Sequence, residues 1–447
     1  MPPRVLSSSR LQVRPHSPHG PRSGESYPQA STADGPLPRG LIAAGLAAFW
    51  VYLAMYAFRK PVAVATFAGE PPLWGMDFKT ALIMAQALGY ACSKIIGIRV
   101  VSAQRGNRRK ELILGLIAVS WVALLGLALL PARWAPLCMI LNGLPLGMIW
   151  GLVVSYLEGR RLTEILTTIL TASFIVSSGV VKAAGSALLA AGVPAVWMPA
   201  ATGLLFAPLL VAALQVLSRI PPPDEHDRRA RGTRVPMDGA ARRRFVMLHA
   251  LPLGLLLAGY GLLVALRDYR DNFAADIWEQ LGHGGSPGLF IETEIPVTLS
   301  VLLGLAAIGW IRRNRAALVA VYGLILGGAA ILGMSTMAWR FGLIGPVAWI
   351  TLSGTGLYLA YAPFSVVLFE RIMAFTRYPG NAGFLIYLAD AFGYCGSFAL
   401  MLVYSSGGET HAKAQAIAVY ANGCLATSVL LAISAPISLL WFLRRRG

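Results

Sequence analysis

Charge is what this chain has least of. Only 13% of its 447 residues are Asp, Glu, Lys or Arg, about half the share usual in a soluble domain. Acidic residues are the scarcer kind, 20 against 38 basic ones, for a formal net charge of +18. Cysteine is confined to Cys92, Cys138, Cys395 and Cys424. Each lies inside an apolar run and no two have a paired spacing, so they read as buried thiols rather than disulfides or metal ligands. His16, His19 and His226 fall in tails or loops, and His249, His283 and His411 near the ends of apolar runs. No His-x-x-x-His and no Gly-x-Ser-x-Gly arrangement occurs. The chain thus offers neither a catalytic metal nor an activated serine, and we expect no enzyme, not even one acting on lipid head groups, and no cofactor. A charge of +18 raises nucleic acid as a partner. The cations argue against it, because they sit in short segments between apolar runs and not on one face of a soluble domain.

What the chain has in abundance is apolar length: 56% of it is hydrophobic and its mean hydropathy is +0.63. Residues 1–39 are rich in Ser, Pro, Arg and Gly, lack periodicity, and read as a disordered cytoplasmic tail. The apolar run that follows is too long for a signal peptide and has no cleavage-like end. Six runs fill an N-terminal bundle over 40–218, near 41–65, 79–102, 111–130, 134–157, 163–191 and 194–218. A polar segment with Pro221-Pro-Pro223 and eight arginines spans 219–244 and reads as a cytoplasmic linker. Six more runs fill 245–447, near 245–267, 293–311, 315–338, 343–370, 382–404 and 416–443. Each is long enough to cross a bilayer, and a backbone in lipid must satisfy itself as helix. The expected fold is an all-α membrane protein of twelve transmembrane helices in two six-helix bundles, the major facilitator arrangement.

The charges inside these runs are costly, by at least about 3 kcal/mol each on insertion scales. The first run closes with Tyr56-Ala-Phe-Arg59-Lys60-Pro61. Lys60 suits snorkelling to the interface, whereas Arg59 suits a cavity. The second holds Tyr90-Ala-Cys-Ser93-Lys94, with Lys94 too far from either end to snorkel comfortably. Lys182 in the fifth and Asp390 in the eleventh are internal as well, and the eighth opens on Glu292-Thr-Glu294. Arg267 and Arg270 end the seventh, either as interfacial residues paired with Asp268 and Asp271 or as part of a site. The second and eleventh helices approach each other in this arrangement, so Lys94 and Asp390 either pair across the bundles or line the cavity separately. Gly143, Gly147 and Gly151 share one face of the fourth helix and favour close packing. Trp134, Trp278 and Trp441 read as interfacial anchors, and Glu158–Glu164 as either a bundle-locking loop or a solvated turn.

The first two motifs resemble those of the organophosphate:inorganic phosphate antiporters of the major facilitator superfamily, the glycerol-3-phosphate and hexose-phosphate exchangers. These carry Tyr-x-x-Arg-Lys in the first helix and Tyr-x-x-Ser-Lys in the second. The chain is also similar to an uncharacterised bacterial membrane family related to them. The resemblance implies that Arg59 and Arg267 hold a substrate phosphate with help from Lys94, within a site that includes Tyr56 and Tyr90. It also implies that Glu292 or Glu294 takes part in ion-pair switching; Lys182 and Asp390, internal to their own runs, are the other candidate ion-pair or gating groups. The chain departs from the pattern in two places. Thr171-Ala-Ser173-Phe174 holds no histidine where the family has one, and Gln104 stands where the loop after the second helix is usually acidic. The expected function is a secondary transporter of a small organic anion by alternating access; a phosphate ester exchanged for phosphate is the form that the resemblance implies. The rival is a transporter-like sensor that binds the anion without moving it. Its partners would be that anion and the lipid bilayer, its state a monomer, and its location a bacterial inner membrane.

Loop charge sets the orientation. With the N-terminus inside, 27 of the 38 Lys and Arg fall on the cytoplasmic side, while the outer loops hold Lys79, Arg133, Arg267, Arg270, Arg340 and Lys413. This asymmetry places both termini and the linker in the cytoplasm. Reporter fusions after Arg244 and after Gly447 should both read as cytoplasmic; a periplasmic signal at either would break the twelve-helix topology.

Overall fold

The computed structural model describes residues 39–102, 108–157, 163–221, 239–284, 286–311, 313–376, 383–405 and 415–444. The expected N-terminal tail, most of the linker, the Gln104 loop and Glu158–Arg161 lie outside them. Ten stretches among these residues are long and apolar enough to cross a membrane. A shorter apolar helix and one interrupted by Lys79, Lys94 and Arg99 bring the spanning helices to twelve. In the first half they are α1 (Arg39–Tyr56), α2 (Phe78–Ser102), α3 (Arg109–Leu129), α4 (Ala135–Leu157), α5 (Thr163–Ala190) and α6 (Met198–Ser218). In the second they are α7 (Ala250–Asn272), α8 (Glu294–Gly309), α9 (Asn314–Arg340), α10 (Pro346–Pro363), α11 (Gly383–Ser405) and α12 (Ala416–Arg444). A π-helical turn at Phe364–Leu368 carries α10 on into Phe369–Thr376.

The halves pack separately. In the first, α1 packs on α5 and α6, and α4 on α2 and α3; in the second, α7 packs on α11 and α12, α9 on α10 and α12, and α8 on α10. The seam between them is built from α5 against α8 and α2 against α11. Ile83, Met84 and Ile175 of the first half pack into the apolar core of the second along this seam.

Two helix boundaries differ from expectation, and both bear on function. The first apolar run does not continue as helix to residue 65. It ends at Tyr56, tightens through Ala57 N–H to Ala54 O and Phe58 N–H to Met55 O, and resumes as a 3₁₀ turn at Pro61–Ala63. Pro61 has no N–H to continue the ladder. Arg59 and Lys60 therefore sit in a turn and not on a helix face. The seventh run is broken at His249, and α7 proper covers Ala250–Asn272. That shift puts Arg267 and Arg270 within the helix.

Glycine permits the tightest helix pair. A Cβ on Gly143 would meet the Gln86 carbonyl, one on Gly147 the Ser93 hydroxyl, and one on Gly89 the Ile140 carbonyl, so α2 and α4 touch backbone to backbone. Cys138 and Cys424 are buried as expected, but Cys92 and Cys395 are exposed, on helix faces turned away from the protein. Trp134 is exposed at 47%. Trp278 is no interfacial anchor: it is buried, because the short helix Ala274–Gln280 folds back over the seam. Gly143→Leu should part α2 from α4 and destabilise by about 1–3 kcal/mol, the usual cost of overpacking. Gly327→Leu, with open space at its Cβ position, should leave thermal unfolding in detergent unchanged. Equal melting of the two variants would refute the close-packing account.

Candidate functional site

Ending α1 early leaves carbonyls without helical partners in the protein interior, and side-chain amides from two other helices answer them. Gln86 Nε2 donates to the Arg59 carbonyl at 3.0 Å and to Asn142 Oδ1 at 2.7 Å. Asn142 Nδ2 donates to the Phe58 carbonyl at 3.0 Å and to Ser120 Oγ at 2.6 Å. Gln86, Asn142 and Ser120 are all buried. The network fixes the turn, and with it the direction of the Arg59 side chain.

The Arg59 guanidinium lies over the Tyr90 ring, 4.0 Å from its centroid. Its Nε is buried and has no hydrogen-bond partner, and among the described residues no carboxylate forms an ion pair with it. Tyr90 faces Tyr394 of α11 at 5.9 Å between ring centroids, so Arg59 sits where the two bundles meet. The second bundle has a matching arrangement. Tyr52 and Arg59 are seven residues apart, as are Tyr260 and Arg267, and the Arg267 guanidinium lies 4.6 Å from the Tyr361 ring centroid. Tyr56 packs against Tyr52, with ring centroids 5.5 Å apart. The resemblance in charge stops at the next residue. Arg267 Nε and Nη2 donate to Asp268 Oδ1 at 3.1 and 2.7 Å, and Ser397 Oγ donates to Oδ2 at 2.7 Å.

A second layer of charge closes the seam one turn further toward the end that the loop charges assign to the outside. The Lys60 ammonium is buried at 4% exposure and does not snorkel; it donates to Asn272 Oδ1 at 3.0 Å and pairs with Asp271. Lys182 of α5 pairs with the same carboxylate, which also accepts from Ser178. Asp271 thus ties the second bundle to α5 and to the turn after α1. Lys79 at the start of α2 pairs with Asp276 at 2.6 Å, both buried. Arg270 pairs with Glu294 at 2.5 Å and not with Asp271; Gly354 leaves room for its guanidinium. Gly179 brings the backbone of α5 onto the Phe290 carbonyl.

Of the residues singled out by sequence, Arg59 lies over Tyr90, Arg267 lies over Tyr361, and Tyr56 is buried at the end of α1. Lys182 and Glu294 belong to the outer layer, while Glu292 is exposed on the turn before α8. Asp390 accepts from the Tyr260 hydroxyl at 3.2 Å. The Lys94 side chain lies outside the described residues, and so does the expected Lys94–Asp390 contact. Sequence reasoning passed over Gln86, Asn142, Asn272, Asp276 and Ser397. The first two were detectable as amides inside apolar runs.

Two helical bundles joined at such a seam define the major facilitator fold, and solved structures agree. The chain is similar to a D-xylose-proton symporter, with a TM-score of 0.59 and 14% identity over 88% of this chain and 96% of that one. It is also similar to a bacterial homologue of the human lysosomal transporter Spinster, solved inward-facing and unoccupied, with a TM-score of 0.57 and 13% identity over 92% of this chain and 98% of that one. By sequence, the chain belongs to the family of unknown function DUF5690, whose profile matches residues 61–445. No curated protein sequence matches it.

Asp271→Asn should strip Lys60 and Lys182 of their shared carboxylate. Loss of one partner from a buried ion pair typically costs about 3–5 kcal/mol. We expect a clear fall in thermal stability in detergent, partly restored when Lys182→Met is added. Strictly additive losses would mean that the contact contributes nothing.

Proposed function

We propose that the protein is a secondary transporter that moves a small organic anion by alternating access, with Arg59 as the group that binds it. The observation that carries this reading is the Arg59 guanidinium. It is fixed by a turn held from two helices and stacked on Tyr90 at the meeting of the two bundles. It has no carboxylate of its own among the described residues. A buried cation without a counter-ion is unfavourable, and a planar fork is suited to carboxylate or phosphate oxygens. Arg267, Tyr56, Tyr90 and Lys94 complete the proposed site, with Asp390, Lys182 and Glu294 as groups whose partners change as the bundles move. The ion pairs that join the bundles at the outer end support a rocking mechanism, because they must break for that end to open. The membrane would be the bacterial inner membrane, with both termini in the cytoplasm.

Arg59→Lys keeps the charge and loses the fork. A charge-assisted hydrogen bond contributes about 1.5–3 kcal/mol, so anion binding to the purified protein should weaken by roughly ten- to a hundredfold, and Arg59→Ala should weaken it further. Both variants should remain monodisperse. Uptake into proteoliposomes should fall in parallel; wild-type protein that binds an anion but never moves it would make the chain a sensor. Unchanged affinity in Arg59→Ala would place the site elsewhere.

A further inference from the structure

We infer that the shut outer seam binds one small inorganic anion, of the chloride class, beside Lys182 and Arg270. This site is separate from Arg59 and stands whether or not Arg59 binds a substrate. Two ammonium groups at the seam share one carboxylate. Lys60 lies on Oδ2 of Asp271, and Lys182 on Oδ1. The other groups on this cluster are neutral: Asn272 accepts from Lys60, and Ser178 donates to Asp271. Among the described residues, no second carboxylate pairs with either lysine. Glu294 is paired with Arg270, Asp268 with Arg267 and Asp276 with Lys79, so those charges cancel. One positive charge is left over, and both lysines are only 4% exposed. An uncompensated charge so deeply buried is costly.

A cavity adjoins this surplus charge. Its volume is about 20 Å³, and both Lys182 and Arg270 line it. A space of about 10–15 Å³ admits one water-sized body, so this cavity suits a single halide rather than a phosphate or an organic acid. Its wall comes from both bundles: Gly179 and Lys182 from α5, Arg270 from α7, Trp278 from the short helix that follows, and Glu294 from α8. Arg270 is itself 6% exposed. It gives Nη1 to Glu294 and Nη2 to the Ile350 carbonyl, while its Nε is buried without a hydrogen-bond partner. Glu294 Oε2 is unpartnered as well. A water molecule would serve both of those atoms, but it would leave the surplus lysine charge unmet. With two cations and one carboxylate in the wall, an anion meets it. The cavity is complete only while the bundles touch, so the bound ion holds the outer end shut.

The test follows thermal unfolding of the purified full chain in detergent at about pH 7, as sodium chloride replaces sodium gluconate at constant ionic strength. Chloride should raise the midpoint saturably, by about 2 °C or more. Lys182→Met leaves Lys60 and Asp271 as a neutral pair. Lys60→Met does the same for Lys182 and Asp271, and it keeps the cavity wall intact. Each variant should weaken the chloride response by about tenfold or more in concentration. If Lys182→Met does not fold, Lys60→Met and the wild-type titration still decide. Bromide, a heavy-atom quencher, should quench wild-type fluorescence saturably, and that component should be missing from Trp278→Phe. Equal unfolding in chloride and gluconate would mean that water alone fills the cavity, and the inference fails. A chloride response that survives Lys182→Met but disappears in Arg59→Ala would put the ion at Arg59 and overturn it too. So would wild-type stability that ignores chloride but rises with pH, because the surplus charge is then shed as a proton.

Discussion

The charged seam between the two bundles depends on where the first helix stops. Pro61 cannot continue the backbone ladder, so α1 closes at Tyr56 and the next carbonyls have no helical donors. In water such groups hydrate at little cost, but inside a membrane bundle each unsatisfied carbonyl is expensive. The chain meets this with a buried amide chain from Gln86 through Asn142 to Ser120. Those three residues come from α2, α4 and α3, and the close approach of α2 to α4 requires Gly89, Gly143 and Gly147. Glycine packing, amide satisfaction and the position of Arg59 are therefore one structural problem. A change that separates α2 from α4 also releases the turn that aims the guanidinium.

The charges beyond that turn behave differently depending on whether water reaches them. Lys60, Lys182 and Asp271 are nearly enclosed, with side-chain exposures of 5%, 5% and 12%. In that state removal of one partner is costly, because the others are left charged and dry. Once the seam parts and water enters, each group is solvated and the same pairs contribute little, about 0–1 kcal/mol. The attraction between the bundles is thus short-ranged and cooperative: it is strong only while the seam is shut. Gly179 adds to this closeness, since its missing side chain lets α5 reach the Phe290 carbonyl beside Glu294.

Much of this was legible in the sequence, for physical reasons that also show where legibility ends. Long apolar runs must be helices in lipid, so the twelve spans and their division around the polar 219–244 segment follow from composition. Arg59 stood out because its charge is costly at that depth. Its placement on a helix face was wrong because hydrophobicity does not register the loss of one N–H at Pro61. Lys60 was misread for a related reason: snorkelling is the default for a lysine at a run end, and the competing carboxylate lies 211 residues away in sequence. Adjacent opposite charges suggested pairs of Arg267 with Asp268 and of Arg270 with Asp271; the first pair forms and the second does not. Arg270 turns to Glu294 and Asp271 to the first bundle. Spacing within one helix did not reveal either partner.

The spacing of Tyr52 to Arg59 and of Tyr260 to Arg267 is the same, and each arginine lies over a tyrosine ring. The two bundles thus present one device twice, and a single neighbouring residue distinguishes the copies. After Arg59 comes Lys60, whose charge is drawn across the seam to Asp271. After Arg267 comes Asp268, whose charge remains on its own arginine. The first bundle thereby faces the meeting point with a free guanidinium, and the second faces it with a neutral pair. An anion held by Arg59 would travel with the first bundle, while the second moves past it without a charge to drag through low dielectric. In the transport cycle proposed above, such asymmetry would lower the electrostatic barrier to rocking, because only one half would have to remain in contact with the bound charge.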